Sequence, residues 1–131
     1  MTEQQKKEFA QLQFAYLEAV QNNEKSAQIM KMDLIFYWMK KQINGELFTI
    51  RTTMGLPTKP IARLSDNQRM EFALLQIAFI SALAMEDLEP AIEIELKMRE
   101  WIDRQIREAV EKVIQGTAKM RVIPGIDPNN N

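Results

Sequence analysis

The sequence predicts an all-α protein: a four-helix bundle-like domain with a long loop between its second and third helices and an extended C-terminal arm. Apolar residues recur at helical spacing in four segments, and helix-capping residues separate these segments. An apolar stretch, MEFALLQIAFISALAM, occupies residues 70–85. We expect residues 1–115 to form the helical domain, with the loop at 45–65, and residues 116–131 to form the arm.

We predict the first helix from Thr2 to Gln21. Phe9, Leu12 and Tyr16 recur there at spacings of three and four residues, which is typical of the buried stripe of a helix. The remaining positions are mostly Gln, Lys and Glu, as on the exposed side of a bundle helix.

We predict the second helix from about residue 24 to residue 43, with Asn44–Gly45 as its C-terminal cap. Its middle contains three consecutive aromatic residues, Phe36, Tyr37 and Trp38. Neighbouring side chains on a helix point about 100° apart, so the three cannot share one face. Tyr37 and Trp38 therefore lie either at the edge of the core with their polar atoms in water, or against a partner protein or a small-molecule pocket.

Residues 46–65 have a different character. The first part, ELFTIRTTM, is rich in β-branched residues and could form a short strand or extended pair. Pro57 and Pro60 follow and exclude a regular helix at their positions. Because long loops in compact domains are commonly functional or flexible, we predict a binding element here.

The charges of the chain are unevenly distributed. From Lys40 to Arg69 there are six basic and two acidic residues, whereas residues 86–100 hold six acidic and two basic residues. Opposite patches on one small domain suit a head-to-tail contact between subunits, although they could also meet within one chain. The basic residues of the loop that we expect to contact a partner are Arg51, Lys59 and Arg63.

Ser65 begins a capping sequence for the third helix, and residues 70–85 form its body. Because apolar side chains point in every direction around this segment, we expect it to be buried on all sides. Leaving about four or five large side chains in water would cost roughly 6–15 kcal/mol, as much as the stability of a whole domain. Other helices or a second subunit must then cover it, since the segment is too short to span a membrane.

We predict the fourth helix from about residue 89 to residue 115, with Gly116 as its C-terminal capping residue. Glu95 and Arg99 form an i,i+4 pair within a broad apolar arc that also contains Trp101. The pair is either an interfacial ion pair that fixes the packing register or a boundary pair whose charged ends reach water. We expect all three residues to contact a partner.

The last segment, residues 117–131, contains one Gly, two Pro and three terminal Asn, which disfavour a compact structure. Val122, Ile123 and Ile126 within it are nevertheless apolar. We predict either an arm that docks these side chains on its own domain or on a neighbour, or a disordered end. We expect no internal repeat and no heptad run of coiled-coil length.

The sequence argues against catalysis. It contains no Cys and no His, so the commonest general base and the usual nitrogen and sulfur metal ligands are missing. Its four Gly residues form no phosphate-binding motif, and the Glu-x-x-His pattern of di-iron bundles is absent. The acidic residues at 86–95 fit a solvated helix start. We expect no enzyme activity, no cofactor and no metal site.

These observations favour a non-catalytic protein–protein interaction or assembly protein, an adaptor or structural subunit, whose partner is another copy of itself. A viral or phage structural component is one setting for such a chain. We expect it in the cytoplasm or in a virion assembled there, because the N-terminus has no secretion signal. The alternatives are a monomeric regulator that binds one partner through Tyr37, Trp38 and the basic loop, and a nucleic-acid-binding accessory protein. The near-neutral net charge disfavours the last of these.

Overall fold

The computed structural model describes residues 1–56 and 63–120, with side chains to residue 116. This part of the chain forms four helices and contains no strand: α1 (Glu3–Gln21), α2 (Lys25–Thr53), α3 (Asp66–Ala84) and α4 (Leu88–Met120). The prediction of an all-α, four-helix bundle-like fold is therefore confirmed. No helix in the described ranges is long and apolar enough to cross a membrane.

Capping boxes start α1 and α3. The Thr2 hydroxyl accepts a hydrogen bond from the backbone N–H of Gln5, whose side chain accepts one from the backbone N–H of Thr2. Ser65 and Gln68 make the same two bonds at the start of α3. Each cap satisfies donors that would otherwise lack a partner and contributes about 1 kcal/mol. The predicted cap of the third helix at Ser65 is confirmed.

The predicted end of the second helix at Asn44–Gly45 is wrong, because α2 continues to Thr53. Tertiary packing accounts for the difference: Leu47 is buried in the core beyond the glycine. This burial outweighs a propensity cost of about 1 kcal/mol for a mid-helix glycine. The β-branched segment is therefore helical rather than extended, and the Thr49 hydroxyl donates to the carbonyl of Gly45.

Aromatic rings from all four helices meet in the core. Phe72 of α3 contacts Phe9 of α1 at 6.4 Å between ring centroids, Phe36 of α2 at 5.9 Å and Trp101 of α4 at 5.4 Å. Two of these contacts are edge-on, a geometry that aromatic pairs prefer. The apolar side chains buried in the core are Phe9, Ala19, Ile35, Trp38, Met39, Ile43, Leu47, Leu64, Phe72, Phe79, Ala82, Ala91, Met98, Trp101 and Ile102.

The helices form two antiparallel hairpins whose contacts repeat. In the first hairpin (α1 and α2) the indole N–H of Trp38 donates to Glu8 at 3.1 Å. In the second (α3 and α4) the indole N–H of Trp101 donates to Glu71 at 2.9 Å. Each residue of the second pair lies 63 positions after its counterpart in the first. The hairpins are therefore two copies of one packing arrangement.

A second pair of bonds repeats in the same way. The side chain of Gln5 donates to Gln42 at 3.0 Å, and that of Gln68 donates to Gln105 at 2.7 Å. The turns also correspond, since a non-glycine residue takes a left-handed conformation in each, at Asn23 (φ 54°) and at Glu86 (φ 55°). The expectation of no internal repeat is wrong.

Equivalent helices run parallel. Phe9 contacts Phe72, and one turn further along both helices Gln13 bonds to Gln76. Both pairs keep the spacing of 63 residues, so α1 and α3 point the same way. The hairpins are thus related by a pseudo-two-fold axis that runs along the helices.

The expectation that residues 70–85 are buried on all sides is also wrong. One face of α3, with Phe72, Gln76, Phe79 and Ala82, is buried in the bundle. A helix in a four-helix bundle packs only one face against the other three helices. The opposite face therefore leaves large apolar side chains exposed to solvent: Met70, Leu74, Ile77 and Met85.

The fourth helix is longer than predicted. It continues through Gly116 to Met120, so Gly116 lies within α4 and is not its C-terminal capping residue. The first five residues of the predicted arm are therefore helical. The rest of the arm, 121–131, lies outside the described residues.

Candidate interaction surfaces

Two of the predicted contact residues lie in the core. Trp38 is 8% exposed and Trp101 is 3% exposed, and both indole N–H groups are satisfied inside their own hairpins. Their positions in the sequence predict a partner contact, because three consecutive aromatic residues cannot share one face of α2 and Trp101 lies within the broad apolar arc of α4. Each tryptophan joins the two helices of its own hairpin through this hydrogen bond. The expectation that Trp38 and Trp101 contact a partner is therefore corrected.

Tyr37 and Arg63, by contrast, line one cleft of about 350 Å³ at the junction of α2 and α3. Tyr37 is exposed, and the ammonium of Lys41 lies 5.7 Å from its ring centroid. We call this the basic cleft. Its lining residues are Asp33, Phe36, Tyr37, Lys40, Arg63, Leu64 and Arg69.

Cations dominate the basic cleft. Lys40, Arg63 and Arg69 outnumber the single carboxylate of Asp33. The guanidinium of Arg69 lies 5.8 Å from the ring centroid of Phe36, and this stacking restrains its orientation. Guanidinium groups bind carboxylates with two parallel hydrogen bonds, so the basic cleft suits an acidic side chain.

A second cleft, of about 590 Å³, has the opposite character. Three carboxylates line it, from Glu46, Glu100 and Asp103, beside one guanidinium and the amino group of Met1, which lies 2.8 Å from Asp103. We call this the acidic cleft. Its lining residues are Met1, Thr2, Gln5, Glu46, Glu100, Asp103, Ile106 and Arg107.

The two clefts occupy equivalent places in the repeat. Glu100 lies 63 residues after Tyr37, and Asp103 lies 63 residues after Lys40. A cation in one hairpin is thus replaced by a carboxylate in the other. Because the pseudo-two-fold axis relates the hairpins, the clefts face opposite sides of the same end of the bundle.

An apolar groove of about 720 Å³ lies between α1 and α3 at the other end of the bundle, near the hairpin turns. Phe14 at its edge is 71% exposed. The hairpins contribute equivalent residues to its walls, such as Leu17 and Ile80. The lining residues are Phe14, Leu17, Glu18, Val20, Gln21, Ile80, Leu83 and Ala84. The sequence prediction missed this groove, which the repeat spacing would have indicated.

Glu95 and Arg99 form the predicted ion pair, with 2.6 Å between the charged atoms. Their side chains are 34% and 32% exposed, respectively, which places the pair at the boundary of the bundle rather than in its interior. The Nε atom of Arg99 is buried without a hydrogen-bond partner among the residues that the structure describes. The guanidinium therefore reaches solvent with only part of its surface.

The other predicted contact residues are spread out. Arg51 is partly buried near the end of α2. Lys59 and the apolar tail residues lie outside the described residues, so their predicted contacts stay predictions. The tail residues concerned are Val122, Ile123 and Ile126.

Burial raises the pKa of Tyr16 above its usual value near 10. No group of three or more acidic side chains within residues 1–56 and 63–116 could hold a metal ion.

Comparison with known proteins adds no relative. No known protein family, no curated protein and no solved structure matches the chain.

Proposed function

We propose that this chain is a non-catalytic assembly protein, an adaptor or structural subunit, that binds copies of itself head to tail. The observation that carries the proposal is the pair of clefts with opposite charge at equivalent positions of the two hairpins. The cationic side chains around the basic cleft of one subunit would contact the carboxylates around the acidic cleft of the next subunit. Because the clefts face opposite sides, each added subunit leaves one of each kind free, so the assembly closes as a ring or extends as a filament.

The charges select the partner and its orientation rather than supply most of the affinity. Exposed ion pairs contribute about 0–1 kcal/mol each, whereas complementary charges accelerate association and disfavour wrong contacts. Exposed apolar side chains near the clefts and along α3 would supply the remainder. Met70 is one of these, and burying a side chain of this size stabilises a contact by about 1.5–3 kcal/mol.

The first test is the mass in solution, measured by light scattering across a range of protein and salt concentrations. The proposal expects masses that are multiples of 15.3 kDa and that fall as salt screens the clefts. A monomer at high protein concentration and low salt would contradict it.

A charge-reversal experiment tests the clefts directly. Arg63→Glu with Arg69→Glu makes both clefts acidic, and Glu46→Lys with Glu100→Lys makes both basic; all four side chains are exposed. Each double variant alone should stay monomeric, and a mixture of the two should assemble.

Lys25→Glu provides a control for the charge-reversal experiment. This exposed lysine lies at the start of α2, far from both clefts, so its substitution should leave assembly unchanged. A mixture of the two double variants that stays monomeric would rule out cleft-to-cleft contact.

A second candidate is a monomeric regulator that binds an acidic segment of one partner protein. The stacked Arg69 and the exposed Tyr37 of the basic cleft favour it, since both can contact a bound peptide. Binding of an Asp- and Glu-rich peptide by monomeric protein, lost in the Arg63→Glu, Arg69→Glu variant, would support this candidate. A location in the cytoplasm or in a virion assembled there remains part of the proposal and is tested by fractionation of the source material.

A further inference from the structure

The hairpins resemble each other in sequence as well as in structure. Between α1 and α3, and between α2 and α4, residues 63 positions apart are repeatedly identical. Most of these identities lie in the first helix of each hairpin. The identical pairs are Gln5 and Gln68, Glu8 and Glu71, Phe9 and Phe72, Ala10 and Ala73, Leu12 and Leu75, Gln13 and Gln76, Ala15 and Ala78, Ala19 and Ala82, Ile29 and Ile92, Trp38 and Trp101, Gln42 and Gln105, and Ile43 and Ile106.

Burial repeats even where the residue type differs. Ile35 and Met98 are equivalent and both fully buried, and so are Met39 and Ile102. These are exchanges between apolar side chains of similar volume, the kind that cores tolerate best. The two hairpins therefore present the same apolar face to each other.

One contact within this interface joins two equivalent residues of the two hairpins. Gln13 and Gln76 are equivalent residues, both buried, and each carboxamide donates to the other, at 2.7 and 3.0 Å. A glutamine pair of this kind lies on the pseudo-two-fold axis, so each hairpin meets its own counterpart there. Two copies of either hairpin would place two identical carboxamides in the same position.

We propose that the buried face of each hairpin is a self-recognition surface whose partner is a copy of the same hairpin. In the described bundle the partner is the other half of the chain. In a pair of chains the first hairpin of one can take the second hairpin of the other and form the same interface twice. This inference is independent of the proposed function, because it concerns the buried interface and not the clefts.

The connection between the hairpins decides which pairing forms. Contacts within one bundle and contacts between chains are identical, so only the effective concentration differs. A linker of about this length supplies about millimolar effective concentration, which favours pairing within the chain at lower protein concentrations. Shortening the linker below the distance that it must span removes this advantage and leaves exchange between chains.

The required distance follows from the helices. α1 starts level with about residue 44 of α2, because Gln5 bonds to Gln42, and α3 starts at the same level as α1. Thr53 is about nine residues further along α2 than that level. At a rise of about 1.5 Å per residue, it lies roughly 13 Å beyond the start of α3 along the bundle axis. The chain must also cross between helices about 8–10 Å apart. With three residues left between Thr53 and Asp66 the chain makes four Cα–Cα steps, which reach at most about 14 Å, less than this path of about 15–16 Å.

The first experiment deletes residues 54–62 of the full chain, which leaves three residues between α2 and α3. It is done in the Glu46→Lys, Glu100→Lys background, so that cleft-to-cleft assembly does not contribute to the mass. We expect a helical dimer of twice the parent mass by light scattering, with the circular dichroism of the parent. A control that replaces residues 57–62 with six Gly and Ser residues should keep the mass of the parent. A folded monomer from the deletion would overturn exchange between chains.

The second experiment tests self-recognition without exchange. In the full-length chain, the second hairpin is replaced by a second copy of residues 1–56, joined by the natural segment 57–62. We expect cooperative unfolding, helix content close to that of the natural chain and about half as many distinct backbone amide resonances, because the two copies become equivalent. Gln13→Glu in both copies places two carboxyl groups on the axis. They can share one proton at acidic pH but repel each other once both are ionised, so the variant should lose stability as pH rises, unlike the tandem chain with glutamine. A tandem chain that is unfolded, or a double-glutamate variant whose stability does not fall with rising pH, would overturn self-recognition.

Discussion

The carboxamides of Gln13 and Gln76 bond to each other in both directions inside a core that is otherwise mainly apolar. Each amide donates one hydrogen bond and accepts one, so the nitrogen and the oxygen of each side chain both have a partner in the other side chain. An apolar pair of the same size would have no hydrogen bonds that require one alignment. The glutamine pair is satisfied in one register only, and it therefore fixes how the two hairpins align.

The first prediction concerns this pair. Gln76→Leu should lower the free energy of unfolding by about 1–3 kcal/mol, because the buried carboxamide of Gln13 then has no partner. The double variant Gln13→Leu, Gln76→Leu should recover most of that loss, since no polar group is left unpaired. Urea unfolding of the single and double variants measures the coupling. Additive losses would show that the two carboxamides act independently.

The two indole bonds should be worth similar amounts. Glu71→Ala leaves the N–H of the buried Trp101 without its acceptor and should cost about 1–3 kcal/mol. Glu8→Ala should cost a comparable amount through Trp38, because the two pairs occupy equivalent positions. Glu→Gln at either position keeps an acceptor and should cost less. Urea unfolding of the Glu8 and Glu71 variants measures the two losses of stability. A large loss in only one of the hairpins would contradict the equivalence of the two indole bonds.

The boundary ion pair should contribute little. Arg99→Met keeps most of the apolar stem but removes the charged contact with Glu95, so the free energy of unfolding should fall by less than about 1 kcal/mol. Lys97→Met, at an exposed position two residues earlier, controls for the loss of a positive charge. A loss of about 3–5 kcal/mol in Arg99→Met alone would indicate that the pair is buried in the protein in solution.

The helices themselves could be predicted from the sequence because their start signals are local. Ser65 and Gln68 form a capping box whose residues are three apart, and the apolar spacing of α1 is set by residues one turn away. The end of α2 could not be predicted in this way. Gly45 favours a break on local grounds, and only the burial of Leu47 against the rest of the bundle overrides it.

The clefts required information that no single segment carries. Tyr37 and Arg63 were selected separately, one for its aromatic ring and one for its charge, and the structure brings them to one cleft. Asp103, on the equivalent surface, was not selected, because an acidic residue on a charged helix is ordinary by itself. Its significance depends on its equivalence to Lys40, which becomes visible only when the chain is aligned with itself at 63 residues.

Tyr16 predicts an alkaline limit to stability. Its raised pKa means that the folded protein holds the phenolic proton more tightly than the unfolded chain does. Below about pH 10 both states are protonated and the effect is absent. Above that pH the unfolded chain releases the proton first, so stability should fall as pH rises. Tyr16→Phe should remove this fall, and the repeat already has Phe79 at the equivalent position. If the melting temperature of Tyr16→Phe depended on pH in the same way as that of the parent protein, this prediction would be contradicted.

The exposed face of α3 should matter for association rather than for folding. Leu74→Gln and Ile77→Gln replace side chains that face solvent, so each should change the free energy of unfolding by no more than about 0.5 kcal/mol. Both should lower the mass of any oligomer, because burial of these side chains would stabilise the contact between subunits. Phe72→Ala, on the buried face of the same helix, should instead cost about 3–5 kcal/mol. Urea unfolding and light scattering on the three variants distinguish the exposed face of α3 from its buried face. If Ile77→Gln lost as much stability as Phe72→Ala, the face that carries Ile77 would be covered within the chain.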